Sequence, residues 1–409
     1  MDPDIRIAYL VSQYPAISHT FILREVLALR KLGIGIVVAS INSVDRSAEM
    51  LTKEERDEVA QTFYVKQVPL HRVALEHLRT FLSSPIRYIQ VLGFALRMGQ
   101  FDLNRMLFGL FYFAEAVLLE RWMRESHTTH LHVHFATPAS TVGLIASRLT
   151  DASLSITVHG PDEFYDVTQY QLLNKIKGCS FLCAISKFAS SQLMKLSPVE
   201  QWDKFEITPL GVDPEKFPPR PDHEPNAQFE ILCVGRLAPA KGQHILIRAL
   251  ALMVKNGADV RLRFVGDGPD RASLEDLAES AGVSARVFFE GSVNQDRIRE
   301  FYNQADVFVL PSFAEGVPVV LMEAMSMELP CVTTRITGIP ELIRDGIDGL
   351  LVAPSDHEEL AHTIARLMTN PKLRRDIGEA GRKRVISCYN LDTNTSRLAE
   401  VFRRRLGTA

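Results

Sequence analysis

Two basic side chains stand five positions apart where an apolar run gives way to a helical pattern. Arg236 and Lys241 follow the run Phe229–Val234, and Gly235, directly after that run, allows a tight turn. Two cations at a strand-to-helix junction suit a diphosphate, because the N-terminus of the helix adds partial positive charge. The pattern predicts a phosphate site, and ordinary solvated charge is the alternative.

Two carboxylates flank the start of a second apolar helix. Glu315 lies in the turn after an apolar run, and Glu323 is the only charged residue of the helical stretch Val319–Met327. Because a buried carboxylate is costly unless it is hydrogen-bonded or paired, we expect Glu323 to accept hydrogen bonds from both hydroxyls of a ribose. Glu315 is placed to reach a sugar, and the N–H groups of Val319 and Val320 would face a phosphate. The alternative for Glu323 is a structural carboxylate satisfied by neighbouring backbone.

A third candidate group follows the apolar run Leu154–Val158. His159 and Gly160 come directly off this predicted strand, where a catalytic side chain would be held rigidly, and Asp162 and Glu163 follow at once. The position predicts a functional histidine, and a histidine packed at the end of the strand is the alternative.

Three histidines form a separate group. His130, His132 and His134 alternate with leucine and valine, so they share one face of a predicted strand. That spacing could ligate zinc. No nearby acidic or cysteine ligand completes a metal site. We therefore favour packing or the lining of a cleft, and we predict no metal.

Short apolar runs alternate with longer amphipathic segments, which is typical of βαβ units and parallel sheets. Ligands of such sheets bind beyond the carboxyl ends of the strands, where the candidate groups lie. The predicted strands are Ile5–Val11, Ile34–Ser40, Leu131–His134, Leu154–Val158, Ser180–Ala184, Phe229–Val234, Val260–Val265, Val287–Glu290, Val307–Leu310 and Cys331–Thr334. The predicted helices are Thr20–Leu32, Ala139–Leu149, Lys187–Leu196, Gly242–Lys255, Asp270–Ala281, Gln295–Asn303, Val319–Met327, His357–Met368, Lys372–Ser387 and Asn394–Leu406.

The chain of 409 residues is long enough for two domains of about 200 residues each. The proline-rich stretch 209–228 shows no apolar periodicity and reads as an interdomain linker, because proline interrupts helices and sheets alike. We predict an N-terminal α/β domain over 1–208 and a C-terminal α/β domain over 229–390.

Composition narrows the class of protein. A net charge of −3 gives no reason to expect a nucleic acid as partner. The five cysteines are scattered, and three of them lie inside apolar runs, which favours buried free thiols over a disulfide framework. The N-terminal stretch lacks a signal-peptide pattern, and no apolar run reaches the ~20 residues of a membrane span. We expect a cytoplasmic enzyme.

The segment 65–125 departs from the βαβ rhythm, because it is largely helical in pattern and rich in aromatic residues. Its arginines include Arg87, Arg97, Arg105, Arg121 and Arg124, which stand beside aromatic residues. Such a mixture suits an anionic interface, so the segment is a candidate to bind a lipid-linked acceptor at the inner face of the membrane. We favour the alternative, in which its helices pack on the first sheet.

Together these residues resemble a known family. The stretch EGVPVVLMEAMSMELPCVTT resembles the Glu-x7-Glu signature of glycosyltransferase family 4, the retaining GT-B enzymes. Other stretches similar to that family are TVHG, AISKF, ITPLGVDPEKF, VGRLAPAKG, FVGDGP, FEGSV, ADVFVLPS and TGIPELI. The N-terminal stretch YPAISHTFILREVLALRKLG is most similar to a branch associated with bacterial exopolysaccharide and colanic-acid-type synthesis.

The resemblance implies two Rossmann-like domains facing each other across a cleft, with a C-terminal helix over 391–409 that returns to the first domain. It implies a cytoplasmic enzyme that moves a hexosyl unit from a nucleoside diphosphate sugar, such as a UDP-sugar, to a glycan or lipid-linked acceptor. The anomeric configuration would be retained without a metal or other cofactor. The N-terminal domain would carry the acceptor side and the C-terminal domain the donor.

The resemblance also implies roles for individual residues. Arg236 and Lys241 would bind the diphosphate, Glu323 the ribose and Glu315 the transferred sugar, with His159 beside that sugar as a catalytic group. The backbone of Gly291 and Val293 would line the base pocket, and Val319 and Val320 would offer N–H groups to the phosphate. The family commonly has a Gly-Gly pair in the first loop, whereas this chain has Ser18, His19 and Thr20 there. Ser18, Thr20 and Asp162 are therefore the candidates on the acceptor side.

Two other interpretations remain open from the sequence. The same fold serves nucleotide-sugar epimerases and glycosyl phosphorylases, although no local sequence suggests the pyridoxal-phosphate lysine of a phosphorylase. The chain could also be a non-catalytic nucleotide-sugar-binding protein or an assembly subunit. The complete set of donor-site positions argues against a decayed enzyme, and donor hydrolysis or transfer by the purified protein separates these interpretations.

Overall fold

The computed structural model describes residues 5–99, 102–220 and 228–407, the side chains of residues 295 and 296 excepted. Among these residues the chain forms two compact units. One comprises the residues up to Thr208 together with those from Thr395 onward, and the other comprises Pro209–Asn394. Each unit is built on a parallel sheet with helices on its faces, as the alternating apolar pattern predicts.

The described part of the first unit contains a seven-stranded sheet in the order β3-β2-β1-β4-β5-β6-β7. Its strands are β1 Arg6–Gln13, β2 Gly35–Asn42, β3 Phe63–Tyr64, β4 His130–His134, β5 Ser153–Val158, β6 Phe181–Ala184 and β7 Phe205–Ile207. Its helices are α1 Thr20–Lys31, α2 Lys53–Gln61, α3 Leu70–Ser83, α4 Pro85–Arg97, α5 Leu103–Glu125, α6 Pro138–Leu149, α7 Asp162–Tyr165, α8 Leu172–Gly178 and α9 Lys187–Leu196. The strand order reverses between β1 and β4, which is where such sheets bind ligands.

The described part of the second unit contains a six-stranded sheet in the order β10-β9-β8-β11-β12-β13. Its strands are β8 Phe229–Val234, β9 Val260–Val265, β10 Val287–Phe289, β11 Val307–Leu310, β12 Cys331–Thr334 and β13 Leu350–Val352. The remaining helices are α10 Gln243–Lys255, α11 Arg271–Ser280, α12 Gln295–Gln304, α13 Val319–Ser326, α14 Ile339–Leu342, α15 His357–Thr369, α16 Pro371–Cys388 and α17 Leu391–Leu406. Here the order reverses between β8 and β11.

The two faces of the first sheet bury different helices. Ala8 and Leu10 of β1 point into a core formed with α4, α5 and α6, and the intervening Tyr9 points into a second core. That second core contains apolar side chains of α1 and, from the far end of the chain, Leu398 and Phe402 of α17. The prediction that the C-terminal helix packs on the first domain is confirmed.

The segment predicted as a linker, 209–228, is described up to Arg220 and from Gln228 onward; residues 221–227 lie outside the described residues. Its first part packs within the second unit. Val212 is fully buried and pairs with Asn390, and the Phe217 carbonyl accepts a 2.9 Å hydrogen bond from Ser326 Oγ. Whether this segment acts as a linker stays a prediction.

The cysteines are free, and the segment 65–125 is helical, as the sequence predicts. All five cysteines are free, and burial raises the pKa of the Cys183 and Cys233 thiols to about 12. The segment is helical as predicted, and its α4 and α5 place Val91, Ala95 and Phe113 in the core. None of the described helices combines the length and the apolar character needed to cross a bilayer.

Candidate active site

The loops that follow β8 and β11 bring together two of the predicted site residues, Lys241 and Glu315. Lys241 Nζ donates a 2.6 Å hydrogen bond to Glu315 Oε1, and the same oxygen accepts one of 2.7 Å from Ser312 Oγ. Glu315 is buried, and Lys241 ends a short 3₁₀ turn, Pro239–Lys241, before α10. A lysine and a carboxylate from adjacent strand ends therefore meet at the point where the strand order reverses.

Arg236 lies in the same loop as Lys241 but is held differently. Its backbone carbonyl accepts a 2.9 Å hydrogen bond from the side chain of Gln243, which is fully buried. Its own side chain is exposed, and the guanidinium has no hydrogen-bond or ion-pair partner among the described residues. The loop is thus anchored by its backbone while its guanidinium stays available to an anion.

The backbone of Gly242 keeps this loop close to β11. Gly242 has φ +63°, and a Cβ on it would lie 2.2 Å from the carbonyl oxygen of Pro311, the residue after β11. A residue with a side chain would push the Lys241 loop away from the strand end that carries Ser312 and Glu315. Glycine at this position is therefore a structural requirement of the site.

We expect Gly242→Ala to lower the free energy of unfolding of the second unit more than Gly282→Ala does. Gly282 has φ +70° with no atom within 4 Å of an added Cβ, so its substitution costs only the backbone strain of about 1–2 kcal/mol. At Gly242 the clash adds about 1–3 kcal/mol. Amide hydrogen exchange of β8 and β11 measures the difference, and equal losses would show that the close approach to Pro311 is unimportant.

Helix α13 presents its N-terminus after the same strand β11. The N–H groups of Val319 and Val320, its first two residues, find no acceptor among the described residues, because the first turn of a helix leaves its donors unpaired. Pro318 precedes them at the N-cap position. These N–H groups and the helix dipole favour an anion at this end.

Glu323, one turn further along α13, is buried as the sequence predicts. Its Oε2 accepts a 3.1 Å hydrogen bond from the hydroxyl of Tyr302, a fully buried residue of α12. A side chain therefore contributes to satisfying this carboxylate, whereas the sequence alternative named only neighbouring backbone. Its binding of a ribose stays a prediction.

The remaining donor-side residues follow β10. Gly291 and Val293 are half-buried, and Ser292 between them is exposed. The Gly291 carbonyl accepts a 2.9 Å hydrogen bond from the N–H of Gly266, the residue after β9. The ends of β9 and β10 are thus joined next to the loop of Arg236, since the N–H of Leu237 bonds to the Asp267 carbonyl at 3.0 Å.

In the first unit, His159 follows β5 and is buried. Its ring packs against Phe21 and Phe135, whose ring centroids are 5.0 Å and 4.3 Å away. Burial, followed by the nearby His134 and His19, holds its pKa well below the usual range of histidine. His159 is therefore a neutral ring near neutral pH, which suits a hydrogen-bonding role.

The three acceptor-side candidates differ in their exposure to solvent. Ser18 and Asp162 are exposed, and Thr20 is the half-buried first residue of α1. Phe21 follows Thr20 directly and packs on His159, so the first loop does approach the strand end of His159. Whether these residues contact an acceptor stays a prediction.

The histidines of β4 share one face of the sheet as predicted, and neighbouring hydroxyls satisfy two of them. The nitrogens of His130 lie 2.6 and 2.7 Å from the hydroxyls of Ser153 and Ser155, and those of His132 lie 2.7 and 2.9 Å from the hydroxyls of Ser155 and Thr157. Burial lowers the pKa of His130 to about 3. Both rings are neutral packing groups.

The statement that no acidic residue completes a cluster with these histidines is wrong. Glu25 of α1 lies with its Oε1 3.2 Å from Nε2 of His134. Donor atoms of Glu25, His132 and His134 lie within 4.8 Å of one another, although both nitrogens of His132 already face hydroxyls. The residues are more than a hundred positions apart, so only the packing of α1 on the sheet reveals the contact.

Comparisons with known proteins indicate the class of this chain. A family model described as "Glycosyltransferase Family 4" matches residues 87–216, and one described as "Glycosyl transferases group 1" matches residues 217–384. The chain is 26% identical over 382 residues to WcaL of Escherichia coli strain K12, whose name provisionally assigns it to colanic acid biosynthesis as a glycosyltransferase. That match covers 88% of this chain and 90% of WcaL. The chain is a glycosyltransferase.

One further relative bears a similar name, and two solved structures share the fold of this glycosyltransferase. It is 31% identical over 208 residues to the amylovoran biosynthesis glycosyltransferase AmsK of Erwinia amylovora, a match that covers 49% of this chain and 51% of AmsK. The crystal structure of Anabaena HepE in complex with UDP is similar with a TM-score of 0.74 at 17% identity, covering 98% of this chain and all of HepE. Sucrose-phosphate synthase from Thermosynechococcus elongatus gives a TM-score of 0.75 at 18% identity, covering 99% and 100% of the two chains. The fold is that of GT-B glycosyltransferases.

The glycosyltransferase contains one supporting residue that sequence reasoning passed over. Glu163 is buried, and its carboxylate accepts hydrogen bonds from the backbone N–H groups of Ala136, His159 and Gly160. It thereby fixes the turn that presents His159. The signal is the pair Asp162–Glu163 directly after that turn, of which the sequence predicts a role for the exposed Asp162 alone.

Proposed function

We propose that this glycosyltransferase moves a hexosyl unit from a nucleoside diphosphate sugar to a hydroxyl of a glycan or lipid-linked acceptor, with retention of the anomeric configuration. The observation that carries the proposal is the cationic group at the reversal point of the second sheet. Arg236, Lys241 and the N–H groups of Val319 and Val320 all follow β8 or β11. The names of WcaL and AmsK support a role in bacterial polysaccharide synthesis.

The proposed chemistry is electrostatic. When the bond to the anomeric carbon breaks, negative charge develops on the departing diphosphate, and Arg236 and Lys241 stabilise it more strongly than they stabilise the bound donor. Glu315, which already accepts from Lys241, accepts from hydroxyls of the sugar, and His159 of the first unit contacts the same sugar. Glu323 holds the ribose, and the backbone at Gly291 and Val293 lines the base pocket.

Retention is proposed to follow from attack on the face that the leaving group vacates, with the departing phosphate taking the proton of the acceptor hydroxyl. No protein nucleophile is assigned. Because Arg236 and Lys241 supply the positive charge, we propose that no metal or other cofactor is needed. Proton NMR of the product compared with the donor tests retention. Activity that survives chelation by EDTA would support the proposal that no metal is needed.

The donor experiment is a thermal-shift series with UDP, GDP, ADP and their common sugars, paired with detection of released nucleotide. A nucleotide present at 100 times its Kd stabilises the fold by about 2.7 kcal/mol. We expect one nucleotide class to do so and Glu323→Ala to weaken that effect. Binding without release or transfer would favour a non-catalytic nucleotide-sugar-binding protein, and no shift with any nucleotide would contradict the proposal.

We also propose a cytoplasmic enzyme that associates with the inner face of the membrane through α3, α4 and α5. These helices leave large apolar side chains exposed on their outer faces. Leu103, for example, is 82% exposed, and Leu107 follows it one turn later on α5. The others are Leu70, Leu75, Leu78, Phe81, Leu82, Ile86, Ile89, Phe108, Leu110 and Phe111. Apolar side chains at this helical spacing suit the boundary between head groups and acyl chains.

The arginines that stand beside aromatic residues in this segment divide into two groups. Arg87 bonds to the Thr150 carbonyl and Asp151, Arg121 to Glu125, and Arg124 to Glu120. The side chains of Arg97 and Arg105 are exposed and have no acceptor among the described residues. These two, beside the apolar faces of α4 and α5, are the arginines that we propose to meet anionic head groups.

We expect the purified protein to sediment with vesicles containing phosphatidylglycerol and less with purely zwitterionic vesicles. Because burial of one large apolar side chain contributes about 1.5–3 kcal/mol, Leu107→Glu should lower the vesicle affinity roughly tenfold or more. Ile347→Glu is the matched control, since Leu107 and Ile347 are both 52% exposed and Ile347 lies in the second unit. Equal sedimentation of both variants and the unmodified protein would contradict this surface.

A further inference from the structure

Four buried side chains of the first unit form a continuous chain of hydrogen bonds that ends at His159. The hydroxyl of Tyr9 donates to Glu25 Oε1 at 2.9 Å, and the same oxygen lies 3.2 Å from Nε2 of His134. Nδ1 of His134 then lies 3.0 Å from Nε2 of His159. Tyr9 and His134 are completely buried, so water does not compete for these contacts.

The chemistry of the groups sets the direction of this chain. A carboxylate only accepts hydrogen bonds, so Nε2 of His134 carries the proton that it shares with Glu25. For two neutral imidazoles, the other nitrogen of His134 is an acceptor, so that Nδ1 of His134 accepts from Nε2–H of His159. The remaining nitrogen of His159, Nδ1, is then unprotonated. It has no hydrogen-bond partner among the residues described.

We propose that Glu25 and His134 are positioning residues that hold His159 in this single tautomer. The unprotonated Nδ1 accepts a hydrogen bond from a hydroxyl of the sugar that is transferred. This inference rests on the proposed function, which places His159 beside that sugar. Phe21 and Phe135 fix the plane of the ring by packing, whereas the Tyr9–Glu25–His134 chain determines which ring nitrogen carries the proton.

A second buried glutamate also pairs with a tyrosine hydroxyl but is not linked to a histidine in the described structure. Glu58 of α2 accepts a 2.9 Å hydrogen bond from the hydroxyl of Tyr14 and pairs with Arg30. This group supports the packing of α2 and has no link to His159 in the described structure. Glu58→Gln is therefore a matched control for Glu25→Gln, because both remove a buried charge next to a tyrosine.

The test uses nitrogen-15 NMR of the histidine rings in the full-length protein. We expect His159 of the unmodified protein to carry its proton on Nε2. In Glu25→Gln the new amide can donate to Nε2 of His134, which moves the proton of His134 to Nδ1 and that of His159 to Nδ1. We expect kcat to fall roughly tenfold to a hundredfold, as for a misplaced catalytic contact, with the thermal shift by nucleotide unchanged. Glu58→Gln should change neither the tautomer nor kcat.

Each outcome bears on the inference separately from the proposed function. A proton on Nδ1 of His159 in the unmodified protein would overturn the chain, whatever the activity. A tautomer that changes in Glu25→Gln without any loss of kcat would overturn the positioning role. The absence of any nucleotide effect in the unmodified protein would instead contradict the proposed function, and the NMR result would still decide the direction of the hydrogen bonds.

Discussion

Replacing Lys241 with alanine is expected to reduce kcat/KM by about a hundredfold to a thousandfold. The ammonium group lies at the reversal point of the second sheet, 2.6 Å from Glu315 and in the same loop as the exposed Arg236. A positive charge fixed there interacts most strongly with the departing diphosphate, so its loss should appear in the rate of nucleotide release as well as in binding. The substrate is the nucleotide sugar that gives the largest thermal shift.

The control for Lys241→Ala is Lys255→Ala. Lys255 is an exposed lysine at the opposite end of α10, so its removal changes the net charge equally without touching the loop. Loss of Lys241 also leaves the carboxylate of Glu315 with the Ser312 hydroxyl as its one partner among the described residues, so the melting temperature must be measured alongside the rate. A lower melting temperature with unimpaired turnover would mean that the Lys241–Glu315 pair is structural.

The second unit was largely predictable because its central strands are buried on both faces. Such strands are mainly apolar runs, and β8, β11 and β12 begin and end where the predicted runs do. The same holds for β9, in which Arg261 and Arg263 alternate with buried apolar residues. The sequence did not reveal β3, β7 and β13, which have only two or three residues and lie at the edges of the two sheets. A strand that short carries no periodic signal, and it forms because a neighbouring strand offers it hydrogen bonds.

The candidate site was predictable residue by residue but not pair by pair. Glycine, proline and isolated charges marked the loops of Lys241 and Glu315, because a charge beside an apolar run is conspicuous. The contact between those two residues spans 74 positions, and that between Glu25 and His134 spans 109. Such contacts depend on strand order and on which helix covers which face. Glu25 illustrates this, since nothing in its local sequence separates it from a surface glutamate.

The second large effect is expected from Glu163. We expect Glu163→Ala to lower the free energy of unfolding of the first unit by about 3–5 kcal/mol. The substitution leaves three backbone N–H groups without their acceptor and removes the opposite charge that acts on Lys175. Lys175 is fully buried, and its Nζ donates 2.9 Å hydrogen bonds to the carbonyls of Ala136 and Thr137. Burial raises the pKa of Glu163 to about 7 and lowers that of Lys175 to about 7, so each group depends on the other for its charge.

Urea denaturation followed by tryptophan fluorescence isolates this effect, because both tryptophans of the chain, Trp122 and Trp202, lie in the first unit. Asp162→Ala is the control: this exposed neighbour should change stability by no more than about 0.5 kcal/mol. The double variant Glu163→Leu with Lys175→Met separates the two causes. It removes both charges but leaves the N–H groups unpaired. The free energy of unfolding that it loses should therefore be about 1–3 kcal/mol smaller than the sum of the losses of its two single variants. Strict additivity would show that Lys175 does not depend on Glu163, and the loss would then arise from the backbone of the turn that presents His159.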